Sequence, residues 1–86
     1  MEIIYSASAV RFINALDKNS KQRIKTGIEK LTLSPPQGDI KPLSGHSDSR
    51  YRLRTGKYRI LYRYTEENRL LILNILDTGC RGNIYK

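Results

Sequence analysis

Tyr51-Arg52-Leu53-Arg54-Thr55-Gly56-Lys57-Tyr58-Arg59-Ile60-Leu61-Tyr62 reads as a β-hairpin with cations alternating against apolar residues. Side chains alternate along a strand. A turn at Thr55-Gly56 therefore places Arg50, Arg52, Arg54, Lys57, Arg59 and Arg63 on one face. Tyr51, Leu53, Tyr58, Ile60, Tyr62 and Tyr64 take the other, facing the core. In that register Arg54 lies opposite Lys57, and Arg52 opposite Arg59. A one-residue slip would send the cations inward, where unpaired charge is costly.

Like charges stacked on one sheet face destabilise it, so packing does not account for the pattern. A solvated face would mix signs, yet no Asp or Glu occurs from Arg50 to Tyr64. Arginine outnumbers lysine there, which suits bidentate phosphate contact and stacking on bases. The expected partner is a polyanion, RNA first.

Working outward, Arg69–Leu76 is almost continuously apolar and reads as a central strand covered on both faces. Glu2–Tyr5 is a short β-rich run. Ser6 is placed to cap a helix through about Leu16, with Ala9, Val10, Ile13 and Leu16 on its inner side. Asn19 or Ser20 caps a second helix ending near Leu33, with Ile24, Ile28 and Leu31 as its buried stripe. Ser34-Pro35-Pro36 stops it. Residues 34–48 read as loop. The order is βααβββ, an α+β domain over residues 1–86 with a helical hairpin on a small, mostly antiparallel sheet.

Composition bounds the function. The chain has 86 residues, 38% of them hydrophobic, and a formal net charge of +8. That suits one small globular domain and an acidic partner. Residues 1–40 hold six Lys/Arg against four Asp/Glu; residues 41–86 hold ten against four. The basic function belongs to the second half. The single cysteine, Cys80, excludes an internal disulfide and offers no metal cluster, so no cofactor is expected. The single cysteine suits a reducing, cytoplasmic setting, no apolar run approaches a membrane span, and the N-terminus lacks a signal-peptide pattern.

The ending Gly79-Cys80-Arg81-Gly82-Asn83-Ile84-Tyr85-Lys86 follows the apolar strand. Metal-free RNA cleavage needs a base for the 2′-OH, a cation for the phosphorane and a proton for the 5′ oxygen. A tyrosine serves as base only where cations lower its pKa. On composition alone, Tyr85 at the core edge and Arg81 paired with a carboxylate such as Asp77 is the favoured reading. His46 reads as a loop residue, Cys80 as a small packed thiol, and Lys18, Lys21, Lys25 and Lys30 as a solvated helix face. Tyr58, Tyr62 and Tyr64 read as core.

Taken together, the βααβββ order, Lys41-Pro42-Leu43-Ser44-Gly45, the Tyr51–Tyr62 block and the Arg81…Ile84-Tyr85 ending resemble the RelE/ParE superfamily of type II toxin–antitoxin toxins. For the RelE branch the resemblance implies an endoribonuclease cutting mRNA in the ribosomal A site, by 2′-OH attack on the adjacent phosphate. It matches Arg59 to the arginine that stabilises the transition state, Arg81 to the arginine near the leaving group, and Tyr85 to the general base. Arg52 and Arg54 match basic positions, often lysines, beside that tyrosine. Arg50, Lys57, Arg63 and Lys86 join them as expected RNA contacts. The spacing from Arg81 to Tyr85 is shorter than in some members, and the chain stops one residue after Tyr85, where some carry a terminal helix. The implied partners are a cognate antitoxin, the ribosome and mRNA, with a toxin monomeric when free and hetero-oligomeric with its antitoxin. Gyrase-poisoning relatives share the fold without the nuclease residues, so a gyrase inhibitor is the alternative, followed by a non-catalytic RNA- or antitoxin-binding module.

Overall fold

A computed structural model describes residues 1–43 and 50–77. The elements are β1 (Glu2–Tyr5), α1 (Ala7–Asn14), α2 (Lys18–Glu29) with a 3₁₀ turn at Lys30–Thr32, β2 (Asp39–Pro42), β3 (Tyr51–Thr55), β4 (Tyr58–Tyr64) and β5 (Arg69–Asp77). The strands form one sheet in the order β1-β5-β4-β3-β2. The β1–β5 pair is parallel and the rest antiparallel. The helical hairpin packs on one face, as expected.

Both helices start on side-chain caps. Ser6 Oγ accepts from Ala9 N at 3.1 Å, as read from the sequence. The second helix is capped two or three residues earlier than expected, by Asp17, whose carboxylate accepts from Asn19 N at 3.1 Å and Ser20 N at 3.2 Å. Hydrogen bonds from Ser20 hold the Asp17 carboxyl below its ordinary pKa. The stripe Ile24, Ile28 and Leu31 is fully buried against the sheet, joined by Ala9 and Ile13. Val10, expected on the inner face, is instead 42% exposed.

The sheet contributes Leu53, Tyr58, Ile60, Tyr62, Leu70, Ile72 and Ile75 to the core. In β5 the inward set changes from even to odd between Ile72 and Ile75. A bulge causes it: Leu61 pairs with Asn74 but Tyr62 with Ile72, leaving Leu73 extra. Ser6 serves this defect too, its hydroxyl donating to Leu73 O at 2.8 Å. The strand is covered fully on one face only; Leu71 and Leu73 are half-buried and Leu76 is exposed. The unbroken apolar run thus reflects a phase change as much as two-sided burial.

β2 corrects the loop expected over residues 34–48. Its residues alternate Asp39, Ile40, Lys41, Pro42, and proline is tolerated because β2 is an edge strand. Gly38 leads into it with φ +133°, and a Cβ there would stand 2.7 Å from a Leu53 methyl. Gly38→Ala is expected to lower stability by about 1–3 kcal/mol through backbone strain and overpacking. Urea unfolding checks this, and an unchanged midpoint would count against it.

Candidate nucleic-acid interface

The cations are brought together by the hairpin, in a register two residues from the one expected. Thr55 faces Tyr58, so the turn is Gly56-Lys57, with Gly56 first at φ +59°. That placement gives the positive φ to glycine rather than threonine, which explains the shift. A two-residue change keeps every side chain on its face. Arg52, Arg54, Arg59 and Arg63 therefore do share the face away from the helices.

The pairings differ. Arg54 lies directly opposite Arg59, Arg52 opposite Leu61, and Arg63 opposite Leu71. β2 adds Lys41 opposite Arg52 and Asp39 opposite Arg54. Two like-charged pairs thus sit side by side, each unfavourable by the ordinary rule for cross-strand neighbours. Asp39 is the one acid in β2, β3 and β4. Sequence reading missed Asp39 and Lys41; the four-residue polar/apolar alternation before Leu43 is the signal that could have placed them.

Burial sorts the arginines. Arg54 is exposed, Arg59, Arg63 and Arg50 are half-buried, and Arg52 is only 7% exposed. Arg52 is thus set into the face rather than projecting from it. Its Nη2 stands 4.0 Å from Asp39 Oδ1, while its buried Nη1 has no hydrogen-bond partner among the described residues. The buried Nε of Arg59 has none either. An unmet donor on a charged group is expensive, and two of them on one face leave it short of acceptors. Lys57 has left this face for the turn, where its Nζ lies 3.9 Å from Asp77 Oδ2 and 5.6 Å from the centre of the Tyr58 ring. On the same face the far corner is neutralised: Arg69 Nε pairs with Glu2 at 3.1 Å and Nη1 with Glu67 at 3.2 Å.

Asp39 is the resident competitor for an incoming anion. At about 6 Å and a water-like dielectric one charge is worth about 0.7 kcal/mol. Asp39→Asn is therefore expected to tighten single-stranded RNA binding about threefold at low salt, the gain fading as salt screens it. Fluorescence anisotropy at two salt concentrations measures it; equal or weaker binding would contradict the role.

The described tyrosines are structural. Tyr62 stacks on Tyr51 with centroids 5.7 Å apart, Tyr64 meets both edge-on, and Phe12 meets Tyr58 edge-on. The Tyr64 hydroxyl donates to Leu31 O at 2.7 Å. Burial pushes the phenols of Tyr62, Tyr64 and Tyr5 up in pKa, which removes them from base catalysis. Arg81, Tyr85 and Lys86, with His46 and Cys80, lie outside the described residues.

This sheet-and-hairpin geometry has relatives. A family model described as the ParE toxin of type II toxin–antitoxin systems, parDE, matches residues 3–80. The chain belongs to that family. Solved structures agree on the fold of this ParE-family chain. The archaeal RelE–RelB complex from Pyrococcus horikoshii OT3 matches with a TM-score of 0.74 at 24% identity, covering 91% of this chain and 94% of that one. The RelB–RelE antitoxin–toxin complex from Methanococcus jannaschii gives 0.71 at 20% identity, covering 96% and 99%. The isolated E. coli RelE toxin gives 0.73 at 15% identity, covering 98% and 95%. The family match places the chain in the RelE/ParE superfamily, and the solved structures share its RelE-like α+β fold. No curated protein matches it significantly.

Proposed function

We propose that this toxin cleaves mRNA on the ribosome and is held inactive by a cognate antitoxin. The observation that carries the reading is the open sheet face, where Arg52, Arg54, Arg59 and Lys41 crowd together and two buried guanidinium nitrogens lack acceptors among the described residues. A phosphodiester supplies what that face lacks. In this reading the Tyr85 phenolate takes the 2′-OH proton and the 2′ oxygen attacks the adjacent phosphorus. Arg59 neutralises the charge that grows on the phosphorane oxygens. The bond to the 5′ oxygen breaks beside Arg81, leaving a 2′,3′-cyclic phosphate and, after protonation, a 5′-hydroxyl. Arg52, set into the face, adds its charge to the site and favours the phenolate. Arg50, Arg54, Arg63 and Lys86 hold the strand by its phosphates. Relatives of this fold solved together with RelB antitoxins support the antitoxin partner.

The second reading is a gyrase inhibitor, favoured by the ParE family match over residues 3–80. Mapping of 5′ ends in cellular mRNA after brief induction, with Tyr85→Phe as control, separates the two. New cuts inside translated codons, absent in the control, support the nuclease. Growth arrest with whole mRNA and a DNA-damage response supports the gyrase reading and overturns the first.

A further inference from the structure

Leucines as well as arginines line the face turned away from the helices. Direct cross-strand pairing sets Leu61 opposite Arg52, Leu76 opposite Arg59 and Leu71 opposite Arg63. Directly opposed residues share a face and stand about 5 Å apart at Cβ. Each of these three arginines therefore has a leucine at its side. Leu61 and Leu71 are half-buried, as befits aliphatic groups with arginine stems lying along them. Leu76 differs: it is 41% exposed beside the half-buried Arg59. Of the exposed large apolar side chains among the described residues, Met1, Val10, Leu33 and Leu76, it alone stands in a strand.

A ligand that meets Arg59 and Leu76 together must be anionic and apolar within the reach of one side-chain pair. A nucleotide of an unpaired strand has that make-up, a phosphate next to a base with open faces. A duplex keeps its base faces stacked and offers this surface little besides phosphates. An inorganic polyanion meets the arginines and gains nothing from leucine. A second copy of the chain sets a net charge of +8 against the same charge. The described tyrosines are all in the core or packed against it, so the described contact for a base on this face falls to leucine.

We propose that Leu76 is a base contact of the cationic face: the base beside the phosphate held by Arg59 packs on the Leu76 side chain. This rests on the RNA-substrate part of the reading above. It adds that the face selects unpaired strands by their bases and not by charge alone. The contact fixes the rotation of the nucleotide, and with it the way the phosphate is presented to Arg59.

The test measures fluorescence anisotropy at low salt with the full chain and two labelled strands. One is a short 2′-O-methyl oligo-U, whose blocked 2′ oxygens cannot attack; the other is an abasic strand of equal length and charge. The parent is expected to bind oligo-U about fivefold tighter than the abasic strand, the low end of what one stacked base contributes. Leu76→Ala loses that margin while its abasic affinity and melting temperature hold. Leu76→Phe restores the margin, and Arg54→Ala weakens both strands alike. Equal binding of the two strands by the parent, no binding of either, or a Leu76→Ala loss shared by both strands would each overturn the proposal. Self-association of the parent that Leu76→Ala abolishes would also overturn it, by assigning Leu76 to a second copy. Neither strand can be cleaved. Equal binding therefore leaves the nuclease reading to its own 5′-end mapping, and failure of that mapping leaves a measured base contact standing.

Discussion

Arg59→Ala is expected to lower mRNA cleavage by about 10²–10³-fold, the usual loss when one preorganised donor to a developing oxyanion is removed. The same substitution is expected to leave the fold as stable as before or slightly more so. Arg59 stands directly opposite Arg54, and its buried Nε has no acceptor among the described residues. Alanine removes both penalties, and relief of a like-charged cross-strand pair is worth about 0.2–1 kcal/mol. The two signs together are the test. A residue kept for packing would lose stability and activity in parallel; one kept for an anion loses activity while stability holds. Cut sites counted by 5′-end mapping and a thermal melt of the same preparation give both numbers. Full cleavage by the variant would remove Arg59 from the chemistry. A fall in melting temperature that matches the activity loss would reassign it to the core.

Much of this architecture is legible in the sequence because its signals are local. Ser6 and the Ile24-Ile28-Leu31 spacing each state a cap or a face in a few residues. The face assignment of the hairpin also survives, since an error of two residues in register preserves side-chain alternation. What the sequence hides is non-local or depends on competition between near-equal options. Asp17 outcompetes Asn19 and Ser20 as a cap, all three being good candidates. Gly56 takes the first rather than the second turn position. Asp39-Ile40-Lys41-Pro42 is too short to announce a strand, and only its pairing with β3 makes it one. The bulge at Leu73 is invisible in an apolar run because leucine and isoleucine suit either phase. For the candidate site the result is similar. The arginines and their shared face are readable, but the burial of Arg52 and the presence of Asp39 and Lys41 beside it depend on an edge strand that propensity does not reveal.

The core prediction with the largest effect concerns Ile28. It is fully buried where α2 meets the sheet, with Ile24 and Leu31 one turn either side. Nearby, Gly27 brings the helix backbone close to β3, a Cβ there standing 3.5 Å from a Leu53 methyl. Ile28→Ala is expected to cost about 3 kcal/mol, within the range for truncating a buried aliphatic side chain. For a domain of this size that lowers the melting temperature by about 12–24 °C. Against a total stability of about 4–13 kcal/mol, scaled from typical values per residue, the loss is a large share. Val10→Ala on the neighbouring helix provides the contrast, since Val10 is 42% exposed and supports little packing; it is expected to melt close to the parent. Equal melting temperatures for Ile28→Ala and Val10→Ala would mean that the α2–β3 contact is not what holds the helical hairpin to the sheet. A large gap between them would locate the stability of the fold on the helix side, leaving the opposite face free to carry unfavourable charge.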